Sequence, residues 1–209
     1  SGIDIEVTGN VGTALSESVL KALRENRKPL FVTELSSFQL EGIRELKCHI
    51  ALLLNCTPDH LDRYPDFRTY REAKLRIFLN QGPEDFTVVN AEDDFLVKEA
   101  EKLKSRLFPF SIRRELEQGV FLREATFYAR DGGQELRLID TADLQLRGEH
   151  NLENAAASLA ASLLAGADRC GMPRAVRGFA GVEHRLEFVT RIGEVDYFND
   201  SKATTVEST

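Results

Sequence analysis

Tryptophan is absent from the 209 residues, methionine occurs once and cysteine three times. Cys48, Cys56 and Cys170 are too few and too widely spaced for a disulfide framework or a zinc site, and they suit reduced thiols. No apolar run approaches the roughly 18 residues that a bilayer-spanning helix needs. The first ten residues, SGIDIEVTGN, lack the basic and apolar segments of a signal peptide. These absences set the expectation of a cytoplasmic protein without membrane insertion. Excess positive charge is missing too: 27 Lys and Arg face 34 Asp and Glu, for a net charge of -7. That balance argues against a sequence-independent nucleic-acid partner. A nucleoside-triphosphate loop, G-x-x-x-x-G-K-[ST], occurs nowhere in the chain.

What is present alternates. KPLFVTEL (28–35) and CHIALLLN (48–55) are nearly continuous apolar runs, as expected of strands covered on both faces. FRTYREAKLRIF (67–78) places Phe67, Tyr70, Leu75 and Phe78 near helical spacing. DFTVVN (85–90), DDFLVKEAEKLK (93–104) and RLFPF (106–110) continue the strand–helix–strand rhythm, which implies right-handed crossovers and a mostly parallel sheet flanked by helices. The segment 119–140 instead holds short alternating runs around Asp131-Gly132-Gly133, the pattern of a small antiparallel appendage. An Ala/Leu-rich helix over 148–167 and two strand-like runs around Gly193 complete an α/β chain. Both ends read as cut, so an excised domain is expected.

LLLNCTPDHLDRYPDFRTYREAKLRIF (52–78) poses the chemical question. A histidine, His60, follows a buried strand, and a lysine, Lys74, lies on the next helix. The carboxyl ends of adjacent parallel strands share one rim, where ligands bind. Glu34, ending LFVTEL, and His60 could converge there, and a carboxylate with an imidazole can hold a divalent cation. The simpler reading has Glu34 capping the helix that begins at SSFQLEG and His60 bonding backbone. Lys74 alone reads as a lysine snorkelling to water. TGNVGTALSES (8–18) could turn backbone N–H groups toward an anion, although a tight strand-to-helix turn explains both glycines. Asn151 and Asn154, three apart, share a helix face and could read a purine edge; N-capping accounts for one of them. Arg185 and Lys202 could neutralise phosphates and Asp200 could accept from a ribose hydroxyl, with solvated surface charge as the plain alternative for each.

Taken together, ELSSFQLE, LNCTPDHLDRYPDFRTYREAKLRIF, VVNAEDD, GEHNLENAAAS, HRLE and NDSKATT resemble, in this order and nearly end to end, the central part of the Mur ligases. ELSSFQLE with DHLDRY favours the D-glutamate-adding branch over those adding other amino acids, and DHLDRY with the absence of folate-type signatures disfavours a folylpolyglutamate synthase relative. The retained Glu34, His60, Lys74, Asn151 and Asn154 argue against a non-catalytic module of the same fold. The resemblance implies a monomeric ATP- and Mg2+-dependent ligase whose small-molecule substrates are UDP-N-acetylmuramoyl-L-alanine and D-glutamate, joined through an acyl phosphate. It implies magnesium ligation by Glu34, His60 and a carbamylated Lys74, with His60 and Lys74 as the catalytic pair. It further implies that Asn151 and Asn154 lie at the adenine, Arg185, Asp200 and Lys202 around ribose and phosphates, and Asn10 and Ser36 against the nucleotide sugar. By the same resemblance, 1–198 is the ATP-binding domain without its phosphate loop, and 199–209 begins a hinge. Thr205 and Glu207 depart there from the family's usual residues. Without the loop, the chain alone is not expected to turn over.

Overall fold

The computed structural model describes residues 3–203 except Arg147 and Leu186. The departures at Thr205 and Glu207 therefore lie outside the described residues. Strands β1 (Ile5–Gly9) and β2 (Leu30–Glu34) pair in parallel across helix α1 (Leu15–Arg24). Helix α2 (Ser37–Glu41) leads to β3 (Ile50–Leu53), α3 (Phe67–Leu75) and a 3-10 turn at Arg76–Phe78. Strand β4 (Phe86–Val89), α4 (Asp94–Ala100) and β5 (Arg106–Leu107) follow. β3, β4 and β5 form a three-stranded parallel sheet in that order. The expected parallel strands thus fall into two sheets rather than one, because β2 and β3 are not hydrogen-bonded to each other.

The apolar runs of β3 and β4 are buried on both faces. Ala51, Leu53 and Val89 pack against Tyr70, Ala73 and Phe78 from the α3 side and against Leu96 and Ala100 from α4. Ile50, Leu52 and Val88 face the opposite layer, where Ala156, Ala157 and Ala160 of α5 (Glu149–Leu164) sit. Alanines at these positions let α5 lie close against two sheets. Its other neighbours are β6 (Phe110–Ser111) and β7 (Gly119–Arg123), which continue through β8 (Thr126–Asp131) to β9 (Gln134–Asp140). This second sheet is parallel at β6–β7 and antiparallel beyond, in the order β6-β7-β8-β9. Phe110, Phe121 and Phe127 are fully buried in it. Helix α6 (Met172–Arg177) closes that side.

The final hairpin, β10 (Glu187–Ile192) with β11 (Val195–Asn199), supplies no residue to either apolar cluster. Phe188, Val189, Ile192, Val195, Tyr197 and Phe198 are all exposed. Among the described residues, the last in sequence packed against the core clusters is Val176.

Two hairpin turns show how differently sequence announces them. Gly132 and Gly133 adopt φ of 56° and 79° between the paired Asp131 and Gln134, as a two-residue primed turn requires. Glu124 and Ala125 do the same between Arg123 and Thr126, with φ of 47° and 61° but no glycine. Left-handed backbone costs an L-residue about 1–2 kcal/mol, so Ala125→Gly should raise stability by about 0.5–1 kcal/mol. A urea midpoint that falls in this variant would contradict the turn geometry.

A buried carboxylate anchors the start of β4. Burial pushes the Asp85 carboxyl up, but the Gly82 amide at 2.7 Å, Lys47 at 2.9 Å and His49 at 3.1 Å more than offset it, giving a pKa of about 2. A depressed folded pKa contributes stability that is present above the ordinary value of 3.8 and is lost as pH falls toward 2. Asp85→Asn should therefore be less stable at pH 7, and its stability should decline less between about pH 4 and 2 than that of the parent. Equal acid sensitivity in both proteins would remove this role from Asp85.

Candidate functional site

The loop leaving β3 carries the histidine in an unusual backbone. His60 has φ of 53°, in the left-handed region that a β-carbon disfavours. Its amide donates to Asp59 Oδ1 at 2.8 Å, and its carbonyl accepts from the Arg63 and Tyr64 amides at 3.0 Å. The ring lies 5.0 Å from that of Phe38 on α2 and 6.2 Å from that of Tyr70 on α3. Asp66 caps α3 by accepting from the Thr69 amide at 2.8 Å, fixing where the helix begins. Four residues after Tyr70, one helical turn on, Lys74 sets its Nζ 5.2 Å from the same Tyr70 ring.

Tyr70 therefore touches both residues. It is 3% exposed, and burial, with the charges of Asp59 and Cys56 adding, pushes its phenol up to about 12. Lys74 is half-buried, and among the described residues no carboxylate lies within ion-pair distance of it. Burial raises the Cys56 thiol, while the positive charges of Lys74 and Arg71 pull it down.

Glu34 ends β2, in a different sheet from β3. α2 packs on α3, and Phe38 bridges to His60. Ser36, not Glu34, caps α2: its hydroxyl accepts from the Gln39 amide at 3.3 Å and Gln39 Oε1 accepts from the Ser36 amide at 2.9 Å. The Glu34 carboxylate stays exposed and accepts from Asn10 Nδ2 at 3.3 Å. That pairing follows from a close backbone approach. A β-carbon on Gly9, at φ 115°, would meet the Glu34 carbonyl oxygen at 2.1 Å. The Gly9 and Asn10 amides donate to the Thr13 and Glu34 carbonyls, so the turn explanation accounts for the start of this loop.

The remaining residues fall in two places. Asn151 and Asn154 lie on the first turns of α5, where Gly148 is the N-cap and no side chain caps the helix. Arg185 and Lys202 flank the last hairpin, at whose base the Lys202 amide donates to the His184 carbonyl at 3.0 Å. Asp200 is half-buried beside them in sequence, and Asn199 Nδ2 lies 2.9 Å from His184 Nδ1.

Among the described residues no group of three His, Cys, Asp or Glu side chains could hold a metal ion. Glu34 and His60 offer one carboxylate and one imidazole. That set fits magnesium, which takes one or two carboxylates and fills the rest of its shell with water and phosphate oxygens. Sequence reasoning missed Phe38 and Tyr70. The i to i+4 spacing of Tyr70 and Lys74 was the available signal.

A family model described as the Mur ligase middle domain matches residues 7–162. A UDP-N-acetylmuramoylalanine--D-glutamate ligase of Geotalea daltonii is 47% identical over 207 residues, covering 99% of this chain and 45% of that protein. A protein of the same name from Thermoanaerobacter sp. (strain X514) is 40% identical over 204 residues, covering 98% and 44%. The chain thus spans less than half the length of these curated relatives. The MurF ligase of Thermotoga maritima, solved in complex with ADP, matches all of this chain and 55% of its own with a TM-score of 0.65 at 17% identity. At that identity the likeness speaks for the fold.

The left-handed His60 gives a direct test. His60→Gly should be more stable than His60→Ala by about 1 kcal/mol, since only the alanine keeps the backbone penalty. Equal urea midpoints for the two variants would show that this conformation is not built into the loop.

Proposed function

Because this chain belongs to the Mur ligase family, we propose that it is the central, ATP-binding part of a ligase that adds D-glutamate to UDP-N-acetylmuramoyl-L-alanine in peptidoglycan precursor synthesis. The observation that carries the reading is Lys74, half-buried over the Tyr70 ring that His60 also approaches, with no carboxylate within ion-pair distance among the described residues. Similarity to proteins bearing the D-glutamate ligase name supports the choice of substrates. In the reaction, an oxygen of the precursor's carboxylate attacks the γ-phosphorus of ATP and ADP leaves. The amine of D-glutamate then attacks the acyl phosphate, and inorganic phosphate departs with the amide formed.

Each residue has a stated task. Glu34, His60 and Lys74, the last as its carbamate, would hold magnesium. Bound there, the ion supplies positive charge against the phosphate oxygens. Carbamylation converts the one cation of this trio into an oxygen ligand, which suits a hard cation better than an ammonium. Asn151 and Asn154 present amide edges from one helix face to the adenine, and Asp200 accepts from a ribose hydroxyl. Arg185 and Lys202 neutralise phosphate charge as it shifts toward the leaving oxygen. Asn10, held by Glu34, and Ser36 contact the nucleotide sugar. The ligase works as a monomer in the cytoplasm.

Lys74→Ala in the complete ligase should lower the rate at least tenfold, and added short carboxylic acids such as acetate should restore part of it. Full activity without any added acid would return Lys74 to a purely structural part.

A further inference from the structure

Helix α2 has five residues, too few to be stable alone, yet it carries Phe38 against His60 and follows Glu34 by two residues. Something must hold it. Its N-terminal end is closed by the reciprocal bonds of Ser36 and Gln39. At its other end the Gly42 and Ile43 amides close the last turn on the Gln39 and Leu40 carbonyls at 3.2 and 3.3 Å, and Arg76 supplies further donors there. Arg76 Nε donates to the Leu40 carbonyl at 2.8 Å, and Nη2 donates to the Ile43 carbonyl at 2.6 Å. The guanidinium is partly buried, spans both acceptors with one planar group, and sits two residues beyond Lys74. A second tie, Arg63 to Glu41 at 3.1 Å, is exposed and contributes little.

We propose that Arg76 is a positioning residue for the candidate site. Its fork joins the end of α2 to the segment that carries Lys74. Glu34 and Phe38, on one side, are thereby kept in register with His60 and Lys74 on the other. The metal part of this inference rests on the ligand assignment proposed above; the geometric part does not. Lysine cannot replace arginine here, because one ammonium on a flexible stem does not match two carbonyls in a fixed fork.

Three variants decide it: Arg76→Ala, Arg76→Lys, and Arg68→Ala as a control that removes an exposed pair with Glu72. In the complete ligase, both Arg76 variants should raise the magnesium concentration for half-maximal rate at least fivefold. The rate at saturating magnesium should stay within about threefold, and Arg68→Ala should leave the curve in place. In the metal-free 209-residue chain, the His60 ring protons should shift in both Arg76 variants as the Phe38 ring moves away. A lowered melting temperature with an unmoved magnesium curve and unmoved His60 signals would overturn the proposal and leave Arg76 a stabilising residue only. Should Glu34→Ala and Lys74→Ala also leave the magnesium curve unmoved, the ligand assignment fails by itself. The His60 signals then decide Arg76 alone, a shift supporting it and no shift overturning it. Because Arg76→Lys keeps the charge and most of the side chain, failure of Arg76→Ala to fold would not remove the test.

Discussion

Two-faced burial of β3 and β4 is the constraint on which the rest depends. Val88 and Val89 are both fully buried, one facing α5 and the other facing α3 and α4. Each such side chain contributes roughly 1.5–3 kcal/mol, and loss of either layer would expose the strands' entire apolar set. Helices are thereby fixed on both sides of the sheet, and the loop after β3 must turn at its rim. His60 occupies that loop, and α3, held by Tyr70 and Ala73 in the same layer, brings Lys74 back to it. The site's geometry is thus a consequence of core packing, with a few polar bonds refining it.

Backbone constraint marks the exits of β1 and of β3. Gly9 admits Glu34's carbonyl at a distance no β-carbon would tolerate, and His60 holds a left-handed conformation fixed by Asp59 and by two amides on its carbonyl. Strained residues persist only where surrounding structure over-determines them, and they concentrate at functional sites. His60 meets that description, with rings from two helices against it.

The alternation of runs in the sequence was enough for the strands, for α3 and α5, and for the Gly132-Gly133 turn, because burial on two faces and helical periodicity each leave a local pattern. Capping was less legible. Ser36 and Gln39 form a capping box that SSFQLE carries openly, whereas Gly148 caps α5 through its backbone alone. The Glu124-Ala125 turn left no signal, since tertiary pairing of β7 with β8 imposes a conformation neither residue prefers. Convergence of Glu34 and His60 was expected through neighbouring strands, but β2 and β3 lie in different sheets. The packing of α2 on α3 brings Phe38 to His60, a contact that strand spacing does not encode.

The treatment of charge separates the two lysines that sequence would treat alike. Lys47 sits 2.9 Å from the buried Asp85, which also accepts from Gly82 and lies against His49, so that ion pair is closed within the protein. Removing one partner from such a cluster leaves an uncompensated buried charge, the mark of a structural role. Lys74 has instead the face of Tyr70 and, nearby, a thiol whose ionisation burial opposes. A π-face offers a cation about 0.5–2 kcal/mol and no hydrogen-bond acceptor. The three donors of an ammonium find no acceptor in that ring face. The two lysines thus differ in their surroundings: Lys47 is tied to a buried carboxylate, whereas among the described residues Lys74 has no carboxylate within ion-pair distance.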